Sequence, residues 1–357
     1  MGFWFWTEKD GIIVPELPEN FISKSLGLEQ RTTRLKEKLG IGCLGEALAM
    51  SLEEELRSSY AIEGEKLDSC RLRSSIARRM HLSSPEWTSP SQSRSLKEDR
   101  AVTAMLDFIE HQGPLTDEVL LKTHAMLGTG RGWGSYREDA EIIRSGEEIV
   151  YEAPAPEYVR PMMTSFFEWW NRNRLELPYP VGAALAHFYL VAIHPFEDGN
   201  GRMARMMTEK ALVTSPKDTF RPYSISASIL AGRNRYYSAL DRADSPAGVL
   251  GFVSFILDAQ ENAVQHAEGR ADRLHTLRFF NEEFRDEFND AEREIIKTMH
   301  VGERREWTMF DATAEMQDGE AAMDAWDRLV RDGFIVNGTL DLEASAENLR
   351  NSYRHTP

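Results

Sequence analysis

Between residues 194 and 207 the chain reads HPFEDGNGRMARMM, which collects one histidine, two acids, two glycines and two arginines in a single stretch. Core packing gives no reason to gather those residue types, whereas anion chemistry does. A helix is expected to begin after Gly201, which puts Gly199, Asn200 and Gly201 at its N-terminus. Such an end offers unpaired N–H groups, the positive pole of the dipole and, with glycine, close backbone approach. Arg202 and Arg205 are three apart and so neighbours on one helical face. Two guanidiniums beside an N–H cradle suit a di- or triphosphate better than a single carboxylate.

A polyphosphate needs further charge balance, usually from Mg²⁺, which takes one or two carboxylates and fills its shell with phosphate oxygens and water. Asp198 is placed for that role, with Glu197 the weaker candidate. His194, just ahead of the cradle, can take a proton from an incoming hydroxyl near neutral pH. Together these parts describe attack by a protein or small-molecule hydroxyl on a nucleotide phosphate. The chain has no G-x-x-x-x-G-K-[ST] loop, no H-R-D with D-F-G, and no H-E-x-x-H. P-loop, protein-kinase and zincin readings therefore fall away. His187, two turns upstream, reads as a core histidine, and the other seven histidines show no ligand spacing.

The elements that must hold this loop read mostly as helices. VGAALAHFYLVAI is apolar almost all round, as a buried central helix would be, and Pro195 stops it near His194. From Lys97 to about Gln265, VTAMLDFIEHQ, DEVLLKTHAML, VRPMMTSFFEWWNRN and MARMMTEKALV each offer an apolar face. YREDAEIIRSGEEIVYEAPAP interrupts them. Its short β-prone runs flank Ser145-Gly146 and predict an exposed hairpin. Upstream, an aromatic leader precedes ALAMSLEEELRSSYAIE, a helix ending at Gly64, and LDSCRLRSSIARRM, a second helix. HLSSPEWTSPSQSRS reads as a linker.

The 357 residues leave room for two or three domains, and 41% hydrophobic with 28% charged composition is that of a globular chain. A formal net charge of −16 argues against a large nucleic-acid footprint. Cys43 and Cys70 match neither a disulfide framework nor a zinc spacing and read as reduced, buried thiols. No segment approaches a membrane span, and the leader lacks a cleavable signal, so a cytoplasmic protein is expected.

One carboxylate stands out. Leu52, Leu56, Ser59 and Glu63 fall at spacings of 4, 3 and 4, within one helical stripe. Glu63 therefore points with the leucines, at a helix C-terminus where the dipole disfavours negative charge. It needs a cationic partner or a raised pKa, unless it simply reaches solvent.

The 194–205 string matches H-x-F-x-[DE]-G-N-G-R-x-x-R, the signature of the Fic family, at every fixed position. GSYREDAEIIRSGEEIVYEAPAP resembles that family's flap and RNRYYSAL its nucleotide-side helix. SSYAIEGEKLDSCRLRSSIARRM is similar to the N-terminal helical segment of a bacterial subgroup. The resemblance implies an all-α fold: a Fic helical core at 97–265 with a short hairpin flap, an N-terminal helical region and linker at 1–96, and a winged-helix-like tail at 266–357. It implies AMP transfer from ATP to a Tyr, Thr or Ser hydroxyl of a protein, itself included. His194 would be the general base, Asp198 the Mg²⁺ ligand, and Gly199, Asn200 and Gly201 the phosphate cradle. Arg202 would help clamp the phosphates, and Arg205 would meet the γ-phosphate. Tyr236 and Tyr237 would lie near the base. Family members often carry Asn seven residues after the second tyrosine, where this chain has Asp244, which leaves nucleotide choice open. The flap, Glu141 to Tyr151 with Ile142, Ile143, Ile149 and Val150, would hold the target by strand addition. Ser59, Glu63 and Gly64 match the family's inhibitory S-x-x-x-E-G, in which the glutamate pairs with the second arginine, here Arg205. In some relatives the same glutamate is thought to help remove AMP.

The tail WTMFDATAEMQDGEAAMDAWDRLVRDGFIV resembles a helix-turn-helix with a wing at FIVNGTLDL. Its second helix carries Asp324, Asp327 and Asp332, which would repel phosphates, so partner binding or a homodimer is favoured over DNA. A second functional class stays open: a catalytically idle regulator or binding module.

Overall fold

The computed structural model describes residues 5–7, 9, 11–82, 96–145, 148–173, 176–213, 220–284, 286–302, 306–313, 316 and 319–354. It is an all-α molecule with three two-stranded antiparallel pairs among the described residues. The expected linker falls almost wholly outside them. In the aromatic leader, β1 (Trp6–Thr7) pairs with β2 (Gly11–Ile12), and Phe5 and Trp6 are buried. The aromatic content of the leader is thus used to pack, in a segment too short to show a period.

Helix α1 (Glu19–Ile62) bends at Gly40, where φ is 56°. Its second half ends as expected: Gly64, at φ 79°, adopts the left-handed conformation that glycine accepts without steric cost. α2 (Ser69–Met80) starts on Asp68, whose carboxylate accepts from the Arg71 N–H. α3 (Leu96–Glu110) and α4 (Asp117–Leu127) follow, then a hairpin of β3 (Ile142–Ser145) and β4 (Glu148–Glu152). Ile142 pairs with Glu152 and Ile143 with Tyr151; the register then shifts, so that Arg144 faces Ile149. The side chains of Ile149 and Val150 lie outside the described residues.

The centre is α6 (Tyr179–Ile193), reached through α5 (Pro156–Asn173). An all-round apolar helix can satisfy its surface only among other helices, and α6 packs against α1, α5, α7 (Asn200–Leu212) and α10 (Pro246–Glu283). α8 (Ile225–Ala231) and α9 (Arg233–Asp241) join α7 to α10. α10 runs unbroken through residue 265, so the core and the tail share one helix. The tail adds α11 (Asp290–Val301), α12 (Met309–Thr313), α13 (Gly319–Arg331), a hairpin of β5 (Ile335–Val336) and β6 (Thr339–Leu340), and α14 (Leu342–Arg354). Asn337 and Gly338, both at positive φ, form the two-residue turn of that hairpin.

Of the two thiols, Cys43 is buried but Cys70 is only half-buried, because it sits in the first turn of α2, near that helix's exposed end. Among the described residues, no helix is long and apolar enough to cross a membrane.

Candidate active site

His194 terminates α6 in the left-handed region, at φ 51°, with its N–H donating to the Leu190 carbonyl. That conformation costs a non-glycine residue on the order of 1 kcal/mol, so something must hold it. Arg137 does. Its Nε donates to the His194 carbonyl at 2.7 Å, Nη1 to Asp139 O at 2.9 Å and Nη2 to Pro154 O, while its backbone N–H donates to Pro195 O. This buried guanidinium clamps the motif loop to both ends of the flap hairpin.

The His194 Nδ1 lies 3.3 Å from the Val191 carbonyl. A carbonyl only accepts, so Nδ1 carries the proton and Nε2 keeps a free lone pair. Burial, opposed by that hydrogen bond, pushes the imidazole down to about 4, which keeps the ring neutral at cellular pH.

Helix α7 starts at Asn200, two residues before the expected point. Gly199 is its N-cap at φ 82°, a conformation that only glycine adopts freely. The Asn200 side chain folds back onto Phe196, accepting from its N–H at 3.0 Å and donating to its carbonyl at 2.8 Å. A second imidazole fixes the loop from outside. His124 Nδ1 accepts the Gly134 N–H at 3.0 Å, so Nε2 carries the proton and donates to Asp198 O at 2.9 Å. Its ring is stacked between Trp133 and Phe196, with centroids at 4.6 and 3.7 Å. Burial pushes His124 down to about 4, consistent with a neutral ring holding a carbonyl.

The two arginines take different partners around the end of α1. Arg205 is 1% exposed: Nε donates to Ser59 Oγ at 2.8 Å, and Nη2 to Ser59 O at 2.9 Å and Glu63 Oε1 at 2.6 Å. Arg202 pairs with Glu65 at 3.1 Å and Asp198 at 3.4 Å, with its guanidinium over the Tyr60 and Trp133 rings. Glu63 is not turned wholly inward, since its side chain is 32% exposed, but its carboxylate is committed to Arg205.

That carboxylate sits at the α7 N-terminus, so close to Gly201 that a Cβ there would run into Glu63 Oε1. Beside it, Arg205 Nη1 is buried without a hydrogen-bond partner among the described residues, and so is Arg202 Nε. Unspent guanidinium donors around a helix N-terminus are what an anionic ligand would use.

A cavity of about 520 Å³ opens from this point. Its lining brings His194, Asn200, Gly201 and Glu63 together with Tyr236, Tyr237, Leu240 and Asp244, and with Ile143 and Tyr151 from the flap. Ile142 and Ile143 are exposed on the flap. Phe5, from the leader, also reaches the wall, a contribution from so far along the chain that no local spacing could signal it. The Tyr151 hydroxyl donates to Ala192 O, with its ring 6.3 Å from that of His194. Asp198, two residues ahead of Asn200, has a side chain 70% exposed that accepts from the Gly199 N–H. A divalent ion bound through one carboxylate and phosphate oxygens fits an exposed Asp198. Among the described residues no group of three or more His, Cys, Asp or Glu side chains is gathered for a metal, and such an ion needs none.

One turn and two turns up α1 from Glu63, Ser59 and Glu55 continue the same stripe. Glu55 is fully buried, accepting from Ser224 Oγ at 2.8 Å, the Ser226 N–H at 2.9 Å and Ser226 Oγ. Close by, Arg221 Nε donates to Glu209 Oε2 at 2.8 Å. Burial, opposed by Arg221 and reinforced by the Glu55 carboxylate, pushes Glu209 well above the usual carboxyl range. Glu209 and Arg205 are both on α7, so α1 meets α7 through two polar rungs.

Residues 114–212 match the family model described as Fic/DOC. Among curated proteins, the chain is 33% identical over 129 residues to a protein adenylyltransferase Fic of Nematostella vectensis, covering 35% of this chain and 29% of that one. It is 29% identical over 163 residues to protein adenylyltransferase fic-1 of Caenorhabditis briggsae, covering 45% and 30%. The chain thus spans under a third of the length of these relatives. They are animal proteins and do not fit the bacterial subgroup suggested by the N-terminal segment. Among solved structures, a Fic family protein from Desulfovibrio desulfuricans aligns over 91% of this chain and 93% of its own, with TM-score 0.56 and 21% identity. A Fic domain-containing signaling protein from Bacteroides thetaiotaomicron covers 70% and 98%, with TM-score 0.53 and 21% identity. At that identity the likeness is one of fold. With the motif matched and that helical fold shared, residues 114–212 of this chain form a Fic domain.

Proposed function

We propose that this chain is a protein adenylyltransferase held off in its resting state by Glu63. The observation that carries the reading is the Glu63 carboxylate at the α7 N-terminus, on Arg205 and against Gly201. A carboxylate occupies a place built for an anion, and the chemistry around that place suits a terminal phosphate.

In this reading ATP lies with its phosphates along Asn200 and Gly201 and its base toward Tyr236 and Tyr237. The target hydroxyl enters from the flap side, where the exposed Ile142 and Ile143 present an open strand edge to an extended segment. His194 Nε2 takes the hydroxyl proton as the oxygen bonds to the α-phosphorus, and the α–β bridging bond breaks to release pyrophosphate. Asp198 would hold Mg²⁺, which supplies charge neutralisation on the phosphates. Arg202, already tied to Glu65 and Asp198, orients that carboxylate. Seating the γ-phosphate on Arg205 requires Glu63 to leave, because both claim the same guanidinium.

The target is a protein Tyr, Thr or Ser, this chain included, and the setting is the cytoplasm. The proposed division is 1–96, 97–265 and 266–357. The tail, with Asp324 and Asp327 on α13, serves a protein partner or a second copy rather than DNA. Incubating the Glu63→Gly protein with Mg²⁺ and each labelled nucleotide triphosphate tests the reading. Labelled AMP on a protein, absent with His194→Ala, supports it. Label from a different nucleotide would change the substrate, and loss of AMP from modified protein would reassign Glu63 to removal. No product from any nucleotide would favour an idle regulator.

A further inference from the structure

His187 has the environment of a core histidine, being 0% exposed on α6 and about two turns before His194. Its hydrogen bonds are nevertheless fully determined. The Thr208 hydroxyl donates to the Ala204 carbonyl at 3.0 Å, so toward His187 it can only accept. His187 Nδ1, 2.9 Å away, must therefore carry the proton. Nε2 is then a bare lone pair, and the Tyr236 hydroxyl, 2.9 Å from it, is the donor. One neutral imidazole thus joins three helices: α6 through itself, α7 through Thr208 and α9 through Tyr236.

Tyr236 has no freedom outside this link. Its ring lines the cavity, its edge meets Tyr237 at 5.2 Å between centroids, and it is 2% exposed. Thr208 lies one turn from Arg205 on α7, and the Arg205 guanidinium also neighbours the Tyr236 hydroxyl. The aromatic wall is therefore tied to α7 at Thr208, about two turns past that helix's N-terminus, by a short polar chain of defined donor and acceptor sense. We infer that His187 is a positioning residue for nucleotide binding: it sets the Tyr236 wall at a fixed separation from the phosphate end of the cavity. The inference rests on the reading of that cavity as a nucleotide site.

Two near-isosteres separate this role from packing. His187→Asn would place an amide N–H where Nδ1 donates to Thr208 and leave Tyr236 without an acceptor. His187→Gln would put an amide oxygen where Nε2 accepts from Tyr236. Each loses one hydrogen bond of a buried pair, so both lower the unfolding midpoint by a similar amount. In the Glu63→Gly background, His187→Asn should weaken binding of a fluorescent ATP analogue about tenfold and raise KM for ATP to match, with kcat nearly kept. His187→Gln should restore most of the affinity. Tyr236→Phe should behave as His187→Asn, and the double variant should be no worse than either single one.

Equal affinity in His187→Asn and its parent, or equal losses in the Asn and Gln variants, would overturn the inference. A loss confined to kcat would do the same. If the parent binds the analogue yet transfers nothing, the transferase reading fails while the binding comparison still decides His187. A parent that binds no nucleotide overturns both.

Discussion

The Glu63 carboxylate and the Arg205 guanidinium, 142 positions apart in sequence, meet at 2.6 Å across the α1–α7 interface. Arg205 is buried, with Nη1 unpartnered among the described residues, whereas Glu63 is the partner with access to solvent. The contact is therefore one that can open from the Glu63 side. A charge-assisted hydrogen bond of this kind is worth about 1.5–3 kcal/mol, roughly a 10- to 100-fold bias.

Removing the carboxylate should release that bias. Glu63→Gly is expected to raise labelled AMP incorporation by roughly 10- to 100-fold. Glu63→Gln, which keeps size without charge, should lie between the two. Initial rates at saturating ATP and Mg²⁺ measure this; equal rates in all three proteins would remove inhibition from the account.

The general-base assignment has its own test. His194→Ala in the Glu63→Gly background should lose at least about 100-fold in kcat. Affinity for the ATP analogue should change little, because Nε2 faces the incoming hydroxyl rather than the phosphates. A loss of affinity equal to the loss of rate would make His194 a binding residue.

Sequence spacing does not single out Arg137, yet it spends three nitrogens on carbonyls of the motif loop and flap. Arg137→Lys keeps the charge but cannot make the fork. It should cut transfer by about tenfold or more while far-ultraviolet circular dichroism stays helical, since misplacing a catalytic group by about 1 Å is costly. Unchanged transfer would show that the His194 backbone holds its left-handed conformation without the clamp.

Three histidines of the core share one sign of pH response. Burial pushes His124 and His194 down to about 4 and His187 to about 3, against about 6.5 in an unfolded chain. The unfolded state therefore binds protons first as pH falls. The stability these neutral rings contribute is present above pH 6.5 and is lost progressively between there and about pH 4 for His124 and His194 and about pH 3 for His187. Thermal midpoints should drop over that window, and kcat of the Glu63→Gly protein should stay flat from pH 6 to 8, with no inflection near 6.5.

Arg221 faces Glu209 in a fully buried pair, with Glu55 alongside. Arg221→Met would leave those carboxyls without their cation, costing about 3–5 kcal/mol in urea unfolding. Because Glu55 and Glu63 share one stripe of α1, the same change should loosen Glu63 from Arg205. Basal incorporation should rise in the wild-type background but not in Glu63→Gly. A rise in both would place the effect elsewhere.

The loop at 194–201 is the most legible part of the chain. Its chemistry is compact, and helix ends are local events: Pro195 stops α6, Gly199 permits the turn, and Gly64 closes α1. The hairpin and the apolar α6 were readable for the same reason, since periodicity and turn residues act over a few positions. Less legible were His124, Arg137, Tyr151 and Phe5. Each reaches the site through a contact with residues distant in sequence, and nothing in its immediate neighbours records that partner.

What the sequence determined alone was the inventory at 194–205 and the direction of the α1 stripe, because a helix fixes which side chains share a face. It could not say where those faces lead. Arg202 and Arg205, neighbours by spacing, divide the groups around the end of α1 between them: Glu65 with Asp198 for one, Ser59 with Glu63 for the other. His187, a core residue by pattern, acquires a directed hydrogen-bond chain only when α7 and α9 close around it. Side-chain partnership depends on which helices pack together, and that is decided by burial of surfaces far apart in the chain.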